Sequence, residues 1–571
     1  MTEPVGMRIK ITLAVWALVA TLLTGFLSVS LEKRYLVHHP YFFDSVSYSF
    51  YNAKLYQLIQ EIEQDTVVRS ELSNNNRDPL RTVPLVMFSP SLLAHPFGHM
   101  ATSLPALFVF VLLLAFTLYR MGGRLVSSIA GSSVAVLMPG LYSAMWGIAA
   151  YWLDLTAAFF IGAAILALLN SNRGRGLGWL ALFAALASCA AFARYVSIAY
   201  LLFASLPVFV WYLVTRLREE GNWPRSVLLP ILVTAGTGGL VAGPYLFTHL
   251  RTVSEFYHVY GYALGAPLAT SVPATLESLK KFIGSAGILV IIVIVGTWLF
   301  KAIKDRRFNA EGIFEPAWLA LSTPIFLIFI LKSAAIHTIS YAGILLLVAL
   351  AIPWARSMNE GGVLFKRSSL IIMLIICTGW TSFYRSEWKD AANPNQEDAE
   401  SKTLQTQLAD LLAQYGRKVV WNAYFDELSW IPSLDAFYRH GVLPLPLGQD
   451  YVFSVHESVY NGNYPGWDSA QINEALLKNA NTWLNIAVVF ERPEDADKSL
   501  PNALSRSVAR YIAESVKNDP NWVKEFQIDT IRYGRLAGYA NLRPKPDNYK
   551  AVLTGEANLR LAGGNAKSVG K

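Results

Sequence analysis

Charge is scarce in this chain: Asp, Glu, Lys and Arg make up 15% of its 571 residues, against about 25% in an ordinary soluble protein. That shortage, with 53% hydrophobic residues and a mean hydropathy of +0.35, excludes a soluble globular fold. Cysteine is nearly absent. Cys189 and Cys377 both fall inside apolar runs, which leaves no disulfide framework or zinc knot and no statement about redox compartment. The polar C-terminal region has no phosphate-binding glycine loop, no zinc-ligand spacing and no nucleophile elbow. What the chain does have is a series of apolar runs of roughly 17–20 residues, the length that crosses a bilayer. Its net charge of +8 sits mostly in short loops between those runs. Such a placement orients a membrane protein rather than binding nucleic acid.

The first run, Ile11 to Ser30, follows Arg8 and Lys10. Its length, and the runs after it, predict an uncleaved signal anchor, with a cleaved signal peptide as the alternative because Ser28 and Ser30 are small. Further spans are expected near 103–119, 125–145, 153–169, 177–193, 196–214, 227–247, 284–300, 316–331, 339–355 and 368–384, about eleven in all. One set of loops holds Arg8, Lys10, Arg120, Arg124, Arg173, Arg175, Arg216, Arg218, Arg225, Lys301, Lys304, Arg306, Arg307, Arg356, Lys366 and Arg367. The opposite short loops hold only Arg194, Arg251, Lys280, Lys281 and Lys332. The first set is therefore cytoplasmic by the positive-inside rule. An odd number of spans then puts the first loop, 31–102, and the C-terminus together on the outer side.

The predicted organisation is a membrane module over 1–384, an extracytoplasmic α/β domain over 385–550 and a disordered tail over 551–571. In the first loop Val46, Phe50, Ala53, Ile59 and Ile62 recur at helical spacing. A second apolar-rich stretch, PLVMFSPSLLAHPFGHM, follows the polar break SNNNRDP, and both stretches suit the interface plane. In the terminal domain NPNQEDAESKTLQTQLADLLAQYG reads as a helix with Leu404, Leu408, Leu411, Leu412 and Tyr415 on one face. Strands are expected at Lys418–Trp421, Tyr451–Val455 and Ile486–Phe490, with more near 524–529 and 537–542. Alternation of this kind predicts an α/β fold.

Two acids stand out, because a carboxylate beside a bilayer is costly. Asp44 lies among aromatics in HHPYFFDSVSYSFY, just beyond the anchor, and Asp154 lies near the outer end of the fourth span in YWLDLTAAFF. In this topology both face the outer cavity. Asp44 also suits a helix N-cap, since a helical pattern starts after it. Arg194, alone among apolar residues at an outer helix junction, is the leading cation. Lys332, Arg251, His258 and His337 are secondary ones, and snorkelling at the membrane edge is the alternative for each. Tyr257, Tyr260 and Tyr262 suit either sugar stacking or interface anchoring.

These features, in this order, resemble the GT-C superfamily of integral membrane glycosyltransferases. The layout is most similar to the branch of the protein mannosyltransferases and lipid A aminoarabinose transferases. The pieces that carry the resemblance are FFDSVSYSFYNA, DPLRTVPLVMF with HPFGHM, YWLDLTAAFF and FARYVSIAYLLF, then VYGYALG and KSAAIHTISY, spanning about residues 10–385. Many relatives carry an Asp-Glu pair in the first loop, whereas here Asp44 is followed by Ser45; a single acid also occurs in the superfamily.

The resemblance implies transfer of a sugar from a polyprenyl-phosphate donor, with inversion, to an extracytoplasmic glycan, lipid or protein. In that reaction one carboxylate must be ionised to take the acceptor's proton, which suits an Asp of reference pKa about 3.9. Asp44 is the expected base, with Asp154 beside it as a second catalytic acid. Preorganised cations should meet the departing phosphate: Arg194 first, then Lys332, Arg251, His258 and His337, with Tyr257 and Tyr260 stacking on the sugar. A divalent cation held by Asp44 or Asp154 is a further way to neutralise the phosphate, and that choice stays open. The expected location is a bacterial inner membrane, with the N-terminus cytoplasmic. The competing readings are a transporter or lipid flippase, against which no inverted repeat is evident, and a noncatalytic membrane sensor.

Overall fold

The computed structural model describes residues 6–39, 43–61, 63–66, 79–143, 147–150, 153–250, 253–254, 268–289, 291–292, 296, 310–326, 339–360, 363–416, 419–424, 430–446, 469–492, 494–500 and 503–546. The chain divides into two compact units. One comprises Met1–Tyr35, Glu63–Leu93 and Phe97–Ala391; the other comprises Leu36–Ile62, Ala94–Pro96 and Ala392–Lys571.

Among the described residues, helices account for nearly all of the first part of the chain. They begin with α1 (Met7–His38), α2 (Phe43–Glu61), α3 (Pro79–Phe88), α4 (Met100–Gly122) and α5 (Leu125–Val136). Next come α6 (Leu153–Asn170), α7 (Leu177–Ala193), α8 (Val196–Glu220), α9 (Leu229–Val241) and α10 (Gly243–Thr248). The series closes with α11 (Leu268–Ile283), α12 (Ala310–Ile325), α13 (Ile339–Glu360) and α14 (Val363–Asp390). Among the described residues five helical stretches are long and apolar enough to cross a membrane: Met7–His38, Met100–Gly122, Leu153–Asn170, Val196–Glu220 and Pro224–Val241. Leu125–Val136, Leu177–Ala193 and Ile339–Ala355 are shorter apolar helices. The protein is therefore a polytopic α-helical membrane protein. The expected span near 284–300 is described only in part, and the tail after 550 lies outside the described residues.

Two elements differ in extent from the sequence pattern. Helix α1 runs for 32 residues, about 48 Å at 1.5 Å per residue, well beyond a hydrocarbon core of about 30 Å. Its polar end is anchored. The Arg34 guanidinium lies 4.8 Å from the Trp388 ring and donates from Nε to the Trp388 carbonyl at 2.9 Å. Helix α5 stops at Val136 rather than near 145, because Pro139 and Gly140 follow in a 3-10 turn; a proline clashes with the carbonyl four residues back in a continuing helix.

Helix α6 is the centre of the membrane unit. Every one of its residues except Phe160 is buried, as expected of a helix that is apolar all round. Its close packing needs glycine: a Cβ on Gly162 would sit 2.6 Å from both Ile344 and Phe110. At one end the chain reverses through Asn172, Arg173 and Gly174, all at positive φ. There Arg175 pairs with Glu219 and with Glu220, and Arg216 donates to the Gly174 carbonyl at 2.8 Å. Asp154 lies at the opposite end of α6.

The terminal unit is an α/β domain. It holds α15 (Gln396–Gln414), α16 (Trp430–His440), α17 (Ser469–Trp483), α18 (Asp495–Ser499) and α19 (Ala503–Asn518). Among the described residues five strands join them: β1 (Val420–Ala423), β2 (Leu445–Pro446), β3 (Ile486–Phe490), β4 (Trp522–Thr530) and β5 (Gly534–Asn541), in the order β2-β1-β3-β5-β4. Strands β2, β1 and β3 are parallel, and β5 runs antiparallel to both β3 and β4. Side chains on β3 alternate between two cores. Ala487 and Val489 meet Leu476, Ile512 and Val516, while Ile486, Val488 and Phe490 meet Leu404, Leu408 and Leu412. A strand buried on both faces reads as an unbroken apolar run, which is how IAVVF stood out. The strand expected at Tyr451–Val455 lies outside the described residues, and the short edge β2 has no sequence pattern to announce it.

One pH effect arises here. Burial, helped by nearby Arg543, pushes the Lys545 ammonium down to about 8 from its usual 10.5, while its Nζ donates to the Leu484 carbonyl. The folded domain thus holds this proton less tightly than the unfolded chain, so stability rises with pH from 8 toward 10.5. Tyr539, pushed up to about 12 by burial and then by Glu491, lowers stability as pH rises above 10, which sets the useful window at 8–10. The gain should be no more than about 1 kcal/mol for a partly exposed group. Thermal melts of the whole protein should show it, and Lys545→Met should flatten it.

Candidate functional site

The site is built at the end of α6 opposite the Arg173 turn, and it begins with a broken helix. Arg194 separates α7 from α8 with extended backbone angles, φ −159° and ψ 128°. Ser197 makes the break tolerable, since its hydroxyl lies 2.6 Å from the Ala190 carbonyl and 2.7 Å from that of Arg194. Carbonyls at a helix end need such partners where water is excluded. The expected division between the fifth and sixth spans thus falls at this arginine.

The break presents Arg194 to Asp154. Its Nη2 lies 3.3 Å from Asp154 Oδ2, and its Nε donates to Oδ1 at 3.4 Å. Tyr341, in the first turn of α13, donates its hydroxyl to the same Oδ1 at 2.9 Å. Tyr200 of α8 stacks on Tyr341 with ring centroids 4.3 Å apart. The exposures differ in a telling way: the Asp154 side chain is 1% exposed and that of Arg194 14%. The carboxylate is the buried anchor, and the guanidinium is the member with access to the surroundings. The guanidinium lies within 3.4 Å of both Asp154 oxygens. Among the described residues no group of three or more His, Cys, Asp or Glu side chains is placed to hold a metal ion.

A second polar cluster adjoins the break. The Tyr195 and Tyr245 hydroxyls are 2.9 Å apart. Tyr245 also stacks on His249 with centroids 4.2 Å apart. His249 Nδ1 lies 2.9 Å from the Tyr245 carbonyl.

Of the residues singled out in the sequence, the structure brings Asp154 and Arg194 together. Asp44 lies within the first turn of α2, which starts at Phe43, so it is inside the helix rather than at a cap position. That helix belongs to the terminal unit. Arg251, Tyr257, His258, Tyr260, Tyr262, Lys332 and His337 lie outside the described residues. Sequence reasoning missed Tyr341 and Tyr200. Their signal was a tyrosine within an apolar run, with a hydroxyl that needs a partner once buried.

An apolar bundle with buried charge at one end, followed by an α/β domain, defines a polytopic membrane protein with a terminal α/β domain. The crystal structure of ArnT from Cupriavidus metallidurans bound to undecaprenyl phosphate is similar to this chain. The match has a TM-score of 0.51 and 14% sequence identity, and it covers 91% of this chain and 97% of that one. The likeness is one of fold. No family model matches the sequence, and no curated protein matches it significantly.

Proposed function

We propose that this protein is an inverting glycosyltransferase that moves a sugar from a polyprenyl-phosphate donor to an acceptor hydroxyl. The observation that carries the reading is the Arg194 guanidinium, oriented by the buried Asp154 at the broken helix, in a fold like that of ArnT solved with undecaprenyl phosphate. Asp44 takes the proton of the acceptor hydroxyl as its oxygen bonds to the anomeric carbon. The bond from that carbon to the phosphate oxygen breaks, and polyprenyl phosphate leaves with the electron pair. Arg194 meets the charge that grows on the phosphate, where a preorganised donor is worth most. Asp154 and Tyr341 are positioning residues that keep the guanidinium in place. Arg251, His258, Lys332 and His337 are further phosphate contacts in this reading, and Tyr257 and Tyr260 stack on the sugar. The location proposed is a bacterial inner membrane, with the terminal domain periplasmic. A glycan, a lipid or a protein would serve as acceptor.

Mass spectrometry of lipid carried through purification in mild detergent tests the reading. A polyprenyl phosphate, bare or sugar-bearing, is the expected passenger, together with release of free polyprenyl phosphate from an added synthetic donor in the presence of cell-envelope acceptors. A preparation that carries only bulk phospholipid and moves a soluble solute into proteoliposomes would overturn it in favour of transport.

A further inference from the structure

Helix α2 is packed within the terminal unit along one face. Phe50, Ala53 and Tyr56 form an apolar seam with Ile431, Leu434 and Phe437 of α16, joined by Leu443 and Leu445. Ala53, Ile431 and Leu434 have no solvent exposure. The Tyr56 and Phe437 rings meet edge to face, with centroids 6.4 Å apart, a geometry aromatic pairs favour. The seam follows the three-residue spacing that puts side chains on one helix face.

A second fastening lies before α2. His39 is buried, with Nδ1 3.2 Å from Asp398 Oδ2 in the first turn of α15. Asp398 is itself set, since its backbone N–H donates to the capping Asn395 side chain at 2.7 Å. Helix α16 is held in turn. Trp421 Nε1 on β1 donates to Ser433 Oγ at 2.9 Å. Arg439 pairs with Asp410 of α15 at 2.9 Å, and buried Asp435 has Lys402 at 3.9 Å and Arg439 at 3.6 Å.

In the order of the chain Asp44 falls between these fastenings, after His39 and before Phe50. We propose that α15 and α16 are positioning elements for Asp44: the His39–Asp398 pair and the Tyr56–Phe437 seam fix the first turn of α2, so the terminal domain sets the chemical step. The inference rests on Asp44 as the base. It assigns the domain a role in turnover that needs no ligand of its own. A loosened α2 displaces the carboxylate, and a misplacement of about 1 Å costs a catalytic group about a hundredfold in rate.

The test is steady-state transfer by the full chain with varied donor and saturating acceptor. Phe437→Ala and Asp398→Asn should each lower kcat by about 10- to 100-fold with donor KM and co-purified lipid unchanged, and Phe437→Leu should restore most of the loss. Hydrogen exchange should show faster amide exchange across Phe43–Glu61 in Phe437→Ala and not in Phe437→Leu. Should Phe437→Ala fail to fold, Tyr56→Ala removes the same ring pair from the α2 side, and wild-type kcat there overturns the proposal. So does wild-type kcat in folded Phe437→Ala and Asp398→Asn, or a loss confined to KM. Asp44→Asn separates the two readings. Full transfer by that variant sinks the base assignment, whereas an inactive Asp44→Asn beside fully active Phe437→Ala sinks the positioning role alone.

Discussion

Asp44→Asn is expected to lower transfer by about two to four orders of magnitude, the usual contribution of a general base, while donor lipid is retained. The substitution is informative because it removes one property and leaves the others. Asn has the shape of Asp and keeps a polar side chain in the first turn of α2, but it cannot accept the acceptor's proton. A purely structural acid at this position would contribute through its charge at the helix N-terminus, worth about 0.3–1 kcal/mol. The two roles therefore predict different outcomes. A base gives a folded, lipid-bearing protein that does not transfer; a helix-stabilising acid gives a slightly less stable protein that transfers normally. Rates measured at matched protein levels, with melting curves alongside, distinguish them. Normal transfer by a folded Asn variant would remove Asp44 from the chemistry.

How much of this arrangement the sequence disclosed follows from what each residue has to satisfy. Asp154 and Arg194 stood out in the sequence because charge inside apolar runs is costly, but their pairing with each other was not legible there. The division of α7 from α8 was legible for the same reason, since a lone arginine does not sit comfortably in the middle of a span. Strand β3 was legible because a strand covered on both faces has an unbroken apolar signature. Tyr341 and Tyr200 were not, because a tyrosine near the end of a span reads equally well as an interface anchor. Nor was the partnership of α2 with α16. Helical spacing shows that Phe50 and Ala53 share a face, but not which distant helix covers it. The early end of α5 at Val136 was present in Pro139 and Gly140, yet hydropathy averaged over a window passes across such a break.

The Asp154–Arg194 pair calls for a cycle of variants, because its structural and functional roles predict opposite results for the double replacement. Asp154→Ala removes the carboxylate from a site where it is 1% exposed. Arg194 then loses its counter-charge, and the Tyr341 hydroxyl loses its acceptor. Breaking a buried pair from one side costs about 3–5 kcal/mol, so Asp154→Ala should melt far below wild type or fail to accumulate in the membrane. Tyr341→Phe removes one donor to the charged Asp154 carboxylate and should cost about 1.5–3 kcal/mol. Asp154→Asn combined with Arg194→Gln removes both charges and leaves two polar groups of similar shape. Replacing both members of a buried pair is often neutral, so this double variant should recover most of the lost stability. It should not recover the donor. A hydrogen bond to a charged group is worth about 1.5–3 kcal/mol, which corresponds to roughly 10- to 100-fold weaker retention of polyprenyl phosphate. Stable folding with the lipid lost assigns Arg194 to the phosphate and Asp154 to its orientation. Stable folding with the lipid retained at wild-type level would make the pair a purely structural clasp across the broken helix, and the cation that meets the phosphate would have to be sought among Arg251, His258, Lys332 and His337.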